Sequence, residues 1–231
     1  MYFCHAADIW RDFPQLVPGL LVVKNIRPTV NVEARLQPWL QRARERLSRE
    51  PESQMNEVSA WRRAYSQMGL KPTKYRSAAE ALLRRFKRED ALPRLHPLVD
   101  ICNAISLAFA MPVAVFDVAQ IDSYLEVRRA NGNEAYLAFS GEIETPPPNE
   151  VIFADAANQV HARRWTFRQS RRSMISVETT QALIVSEGLH NTATEDVGAL
   201  IEALAEEITA LWSAPPQKTI LTAVSPRLAF T

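Results

Sequence analysis

Cysteine is almost absent from this chain: Cys4 and Cys102 are the only two in 231 residues. They are too few and too far apart for a metal motif or a disulfide framework, which fits a reducing compartment. No Walker loop, GxGxxG, HExxH, GxSxG or CxxC occurs, so the nucleotide-cradling, zinc-peptidase, serine-hydrolase and dithiol classes lose their support. No metal or cofactor is expected. Long apolar runs are missing too: the stretch from Ile105 to Phe116 is interrupted by Ser106 and Pro112 and falls short of a membrane span. A charged-apolar-small leader is not seen at the N-terminus, and a cytoplasmic protein is expected. Neither sign of charge dominates, since 27 Lys and Arg face 26 Asp and Glu for a net charge of +1. There is no internal repeat or low-complexity tract. With 47% hydrophobic residues the chain can bury a real core.

The basic residues that are present are gathered locally. Ala162-Arg-Arg-Trp-Thr-Phe-Arg-Gln-Ser170 is followed at once by Arg171 and Arg172, and no carboxylate falls between Asp155 and Glu178. Guanidiniums interleaved with Trp165 and Phe167 suit phosphates and stacked bases. Were Arg163 to Phe167 a strand, Arg163, Trp165 and Phe167 would share one face and Arg164, Thr166 and Arg168 the other. The competing reading pairs these arginines with surface carboxylates such as Glu142 or Glu144, which contributes little. A second basic region lies between Trp61 and Glu89. Its helical arginines read as a solvated face, but Lys74, Tyr75 and Arg76 precede a helix N-terminus that favours anions.

Periodicity predicts helices over Val32 to about Glu50, Gln54–Met68, Ser77–Lys87, His96–Phe109 and Thr194–Trp212. Ser77 and Glu80 have capping-box spacing, and Trp61 reads as core. An early strand ends near Ile26. Short alternating runs at Val113–Phe116, Leu125–Ala130, Glu134–Phe139, Val151–Ala154 and Gln159–Ala162 read as strands, with Asn131-Gly132 as a hairpin turn. Met174 to Val185 adds a further strand, although Glu178 could equally start a helix. Pro146-Pro147-Pro148 reads as a stiff exposed loop. Helices, then a meander of strands, then a helix define an α+β class: a mixed or antiparallel β-sheet core with flanking helices. One domain is expected over residues 1–213, with 214–231 as a Pro-containing and loosely ordered tail.

On the His96–Phe109 helix, Asp100, Asn103 and Ser106 form a polar stripe on an otherwise apolar element. Such a stripe either bonds neighbouring loop backbone or lines a pocket. Asp117 reads as a helix cap or, alternatively, a catalytic base. Pro97-Leu-Val-Asp-Ile-Cys-Asn103, Met111-Pro-Val-Ala-Val-Phe-Asp117 and the strand carrying Val127-Arg128 together resemble the editing domain of the phenylalanyl-tRNA synthetase β subunit. In that family a PxxDxxN helix precedes a QPMHAFD-like segment. Trp61 to Ser77 and Ala162 to Ser170 are similar to freestanding relatives of the domain, and the resemblance extends over most of residues 12–212.

The resemblance implies the fold of that editing domain and hydrolysis of misacylated aminoacyl-tRNA in trans, without ligase activity. Alternatives on the same fold are a non-catalytic tRNA-binding module and an amino-acid-binding protein. On physical grounds, and not from the resemblance, Asn103 is the candidate catalytic donor to a substrate carbonyl, supported by Asp100 and Ser106. The basic run and loop themselves make Arg163, Arg164 and Arg168 candidates for the phosphates of a tRNA 3′ end, with Tyr75, Arg76, Trp165 and Gln169 as further substrate-binding candidates. One position departs from the family: Ala114 stands where the related segment carries histidine. His161 is the alternative imidazole, with a structural role as its competing reading.

Overall fold

The computed structural model describes residues 1–231. In chain order the elements are β1 (Tyr2–His5), α1 (Ala7–Asp12), β2 (Val17–Lys24), α2 (Glu33–Arg49), α3 (Asn56–Gln67), α4 (Ala78–Glu89), α5 (Pro97–Phe109), β3 (Val113–Asp117), β4 (Tyr124–Arg129), β5 (Ala135–Leu137), β6 (Ile143–Glu144), β7 (Val151–Asp155), β8 (Gln159–Arg163), β9 (Arg168–Gln169), β10 (Gln181–Gly188), α6 (Ala193–Trp212), β11 (Gln217–Ile220) and β12 (Arg227–Ala229). The helices end where local chemistry says they should. The Ser77 hydroxyl accepts the Glu80 N–H at the start of α4, Pro97 opens α5, and Asp90 and Ala110 close α4 and α5 in left-handed conformations.

Strands group into two sheets. One is antiparallel, in the order β11-β2-β10-β3; the other is mixed, in the order β12-β1-β4-β7-β8-β5-β6 with β9 also on β8. Parallel pairs β1–β4 and β5–β8 make the second sheet mixed. The period-two alternation of β2 and β10 then explains the layering. Leu21, Val23, Ala182 and Ile184 face α2, α5 and α6, while Leu20, Val22, Leu183 and Val185 face Phe3, Val127 and Phe153 of the second sheet. The architecture is therefore helix, sheet, sheet, with a core on each side of the four-stranded layer. At Gly19 of β2 an added Cβ would lie 2.5 Å from Ile201 and 2.6 Å from Val197, so only glycine lets α6 lie this close.

Several sequence expectations are overturned. Asn131-Gly132 does not make a hairpin: β4 pairs with β1 and β7, and β5 with β8 and β6. The buried Glu134 carboxylate explains the change, because it accepts N–H groups of Asn131 at 2.9 Å and Gly132 at 3.0 Å and meets Arg128 at 2.5 Å. The turn is thereby folded around a side chain instead of a strand ladder, with Gly132 at φ +93°. Residues 214–231 are not a loose tail, since β11 extends the first sheet along β2 and β12 the second along β1. Thr192, not Thr194, precedes α6, and its hydroxyl bonds Asp196. The Glu80 carboxylate is drawn from the capping box to Arg62 and Arg76.

Candidate functional site

A cleft of about 410 Å³, counting its open mouth, lies where the two sheets part. Its walls are Ala114, Phe153, Ala162 and Val185, and its floor is Trp165 and Glu187. Strand alternation puts these groups there. Ala114 and Phe116 project from β3, and Val185 and Glu187 from β10, towards the layer between the sheets. Arg168, Gln169, Thr166, Phe167 and Ala78 also line it.

Glu187 is only 2% exposed, yet it borders this cleft. His5 Nε2 lies 2.6 Å from its Oε1, and Trp165 Nε1 donates to both carboxylate oxygens at 3.1 and 3.0 Å. Trp61 donates from its indole to the Glu187 main-chain oxygen at 3.2 Å. The rings of Phe13 and Trp61 meet Trp165 edge-on at 4.9 and 5.0 Å. A buried carboxylate without such donors would cost several kcal/mol. With them it becomes a fixed acceptor at the bottom of an apolar cleft.

The arginine run forms a hairpin, not one continuous strand. β8 ends at Arg163, the chain turns through 164–167, and Arg168 and Gln169 return as β9. Arg164 at φ +47° and Trp165 at φ +60° both occupy the left-handed region, at a cost of about 1–2 kcal/mol each. The fold holds them there. The Trp165 N–H bonds Val151 O at 2.7 Å, and the indole is anchored on Glu187.

This turn separates residues that the sequence groups together. Arg163 is 5% exposed and locked to Glu150, at 2.8 and 2.9 Å, and to Glu144. Burial alone would lower its pKa, but the two carboxylates outweigh burial and raise it. It is a structural ion-pair residue, as Trp165 is a core residue with 0% exposure. Neither reaches out to bind. Outside, Arg164 stacks over Tyr75 at 4.6 Å and Phe167 at 5.5 Å, and Arg168 lies over Phe167 at 5.2 Å. Tyr75 meets Phe167 edge-on at 5.4 Å, with Lys74 above the Tyr75 ring at 5.3 Å. The two basic regions therefore converge at the cleft mouth. The bond from Ala78 N to Thr166 O, 2.7 Å, stitches them together. Arg76, behind this surface, is turned to Glu80 at 3.4 Å.

The polar stripe of α5 also divides. Asp100 accepts the Leu95 N–H at 3.0 Å, and the Ser106 hydroxyl donates to Met111 O at 2.6 Å. Both are buried in local bonds and border neither the Glu187 cleft nor the cleft that Asn103 faces. Asn103 is half-buried and lines a second cleft beside the first, the two sharing Val113 and Gln169. Asp117 caps the short turn after β3, accepting the Ala119 N–H at 3.0 Å and the Thr179 hydroxyl at 2.8 Å. His161 is fully buried with Nε2 3.1 Å from Asp155, so it does not replace the missing imidazole. Glu187 and His5 were missed by sequence reasoning. The only signal was a carboxylate at the end of the apolar run Ala182–Val185.

Elsewhere, Glu57, His190 and Asp196 bring possible metal-ligand atoms within 4.8 Å of one another. Arg46 already grips Glu57 at 2.8 and 2.9 Å, and His190 Nε2 lies 2.9 Å from Asp196. The ligand atoms already have partners within the fold. No helix is long and apolar enough to cross a membrane.

Fold and site together define an α+β protein with an inter-sheet cleft, an anchored carboxylate at its floor and free cations at its rim. The sequence pattern of the B3/4 domain matches residues 60–203, more than half of the chain, and the protein belongs to that family. It is 27% identical over 88 residues to the phenylalanine–tRNA ligase β subunit of Shewanella oneidensis, covering 38% of this chain and 11% of that protein. With the corresponding subunit of Chromobacterium violaceum it shares 32% identity over 77 residues, 33% of this chain and 10% of the other. The matched part thus spans about a tenth of these relatives. A solved N-terminal fragment of the phenylalanyl-tRNA synthetase β subunit from Pyrococcus horikoshii aligns with a TM-score of 0.47 at 9% identity, covering 94% of this chain and 53% of that one.

Proposed function

We propose that this protein hydrolyses the ester of misacylated aminoacyl-tRNA in trans, in the cytoplasm. The observation that carries the proposal is the convergence of Lys74, Arg168, Tyr75 and Phe167 on the mouth of the Glu187 cleft. Lys74 and Arg168 make no ion pair within the fold, so they are available to phosphates, and the two rings offer stacking surface. The family relationship to tRNA ligase β subunits supports the same partner.

In this reading the amino-acid part enters the cleft. Apolar walls take an uncharged side chain, and Glu187 accepts a hydrogen bond from an ammonium or hydroxyl group. Water adds to the ester carbonyl, the bond to the ribose oxygen breaks, and the proton passes to that oxygen, releasing amino acid and tRNA. Ala114 means that no imidazole of β3 serves as base. The chain's contribution is position and water exclusion, with the neighbouring ribose hydroxyl of the substrate available to move the proton. The measurement is amino-acid release from a panel of mischarged tRNAs. Turnover on at least one, reduced about tenfold or more in Glu187→Gln, is expected. A folded protein inactive on the whole panel overturns the proposal.

Ala114 also favours a second reading, a tRNA-binding module without turnover. It predicts salt-dependent binding of charged and uncharged tRNA alike. Loss of all tRNA binding at low salt would exclude it.

A further inference from the structure

The Glu187 cleft is narrow where it is deep. Against about 410 Å³ with its mouth counted, the space that the atoms of a ligand can fill amounts to about 60 Å³. An apolar cavity that admits benzene measures about 150 Å³. An aromatic side chain therefore does not fit, whereas a methyl or hydroxymethyl group does. The limit is built from parts that do not yield. Phe153 stands on β7, Ala162 on β8 and Val185 on β10, and each of these strands has a neighbour on both sides. The Phe153 ring lies between Phe3 at 6.1 Å and Phe116 at 5.4 Å.

Of the deep residues only Trp165 lies on a turn, and it is held on every side. Its main-chain N–H is bonded to Val151 O, Phe13 and Trp61 meet its indole edge-on, and Nε1 reaches both oxygens of Glu187. Close-packed walls of this kind resist widening for a larger guest. Polarity narrows the class further. A carboxylate offers about four lone-pair positions. His5 and Trp165 share Glu187 Oε1, and the same indole N–H also points to Oε2. Oε2 thus keeps room for one more donor, which a hydroxyl supplies, whereas an acidic side chain would meet a like charge.

We infer that the Glu187 cleft admits only small uncharged side chains, of the size of alanine and serine, and that Trp165 sets this limit; the inference rests on the deacylation proposed above. Trp165 is then a specificity-determining residue in two ways. Its indole occupies the volume that a longer side chain would need, and its N–H fixes the carboxylate that a seryl hydroxyl meets.

The experiment holds the tRNA constant and varies the amino acid. Each tRNA of the panel is acylated in turn with alanine, serine, valine, phenylalanine and tyrosine, and amino-acid release is measured. On a tRNA that is turned over, kcat/KM for the alanyl and seryl esters should exceed that for the phenylalanyl and tyrosyl esters by about a hundredfold or more, with valine between. Trp165→Phe trims the floor, and Val185→Ala trims a wall with Trp165 in place. Each should narrow the gap between alanine and valine about tenfold. The wild-type comparison and Val185→Ala decide the limit even where Trp165→Phe does not fold. Release of tyrosine or phenylalanine as fast as alanine overturns it, and a folded Trp165→Phe protein with the wild-type preference takes that role from Trp165. The limit and the reaction fail separately. For this, tRNA carrying alanine or tyrosine through a 3′ amide in place of the ester is titrated into the protein. The alanyl amide bound about tenfold more tightly, with no release from any ester, upholds the limit and removes the deacylation. Equal binding of the two amides overturns the limit.

Discussion

Arg163 and Arg168 face each other across the β8–β9 hairpin, yet they live in different electrostatic worlds. Arg163 is enclosed with Glu144 and Glu150, and its charge is spent inside the protein. Arg168 is exposed above Phe167 and has no carboxylate partner. The interior side of the hairpin holds Trp165 on Glu187, and the exterior side holds cations over aromatic rings. The lesson is that a basic run is not one functional unit. Burial turns part of it into scaffold, and that scaffold positions the remainder.

The strongest way to break the contrast is to empty its interior side. Trp165→Ala should cost about 3–5 kcal/mol in denaturant unfolding, because it leaves a cavity between Phe13 and Trp61 and removes the donor to Glu187. Arg163→Ala should cost about 3 kcal/mol, because buried Glu150 loses its closest countercharge and keeps only Arg164, at 3.5 Å. An unfolding free energy within about 0.5 kcal/mol of wild type in both, the usual range for surface changes, would erase the distinction.

Placing a titratable group on the open side sharpens the comparison next. Ala114→His restores an imidazole to the Glu187 cleft. Turnover of mischarged tRNA should rise about a hundredfold, and increase with pH through about 6.5 as the ring becomes a neutral base. A pH-independent rate equal to wild type would show that the imidazole does not reach the ester.

A smaller effect tests locked charge elsewhere. Burial raises the Glu134 pKa, but the Asn131 and Gly132 N–H groups and Arg128 outweigh it and hold it at about 2, against 4.5 for a free glutamate. Because the folded value is the lower one, the stabilisation is fully present above about pH 4.5 and is lost as pH falls towards 2. Glu134→Gln should therefore lower stability at pH 7 by about 2–3 kcal/mol. The gap from wild type should close in acid. A gap independent of pH would show that the charge is not what matters.

The smallest structural effect belongs to the rim. Lys74→Ala and Arg168→Ala should each change stability by less than about 0.5 kcal/mol. Each should also flatten the salt dependence of tRNA binding by about one unit of slope. The same substitutions leaving the salt slope unchanged would remove the rim from the interface.

Much of the fold was legible because local periodicity carries it. The amphipathic stripes of α2, α3, α5 and α6 and the alternation in β3, β4, β7 and β8 appear in the chain close to their observed bounds. Strand partners were not legible. The Asn131-Gly132 turn signal was sound as a turn, but Glu134 captured its N–H groups, and β5 found β8 instead. At the site, Gln169 and Arg168 were placed at the cleft by the run itself. Asp100 and Ser106 were misgrouped with Asn103, because three-residue spacing on one helix does not say which groups the neighbouring loops will occupy.

By itself, the sequence determined the α+β class, the helices, the family segments around Asn103 and Asp117, and the absence of histidine at Ala114, all of which follow from residue order and local propensity. Only the tertiary structure decided that Trp165 and Arg163 turn inward, that Glu187 and His5 meet across the chain, and that Tyr75 reaches Phe167. These contacts join residues far apart in the chain, and they are fixed by which face each strand must bury and by the need of every buried charge for a partner.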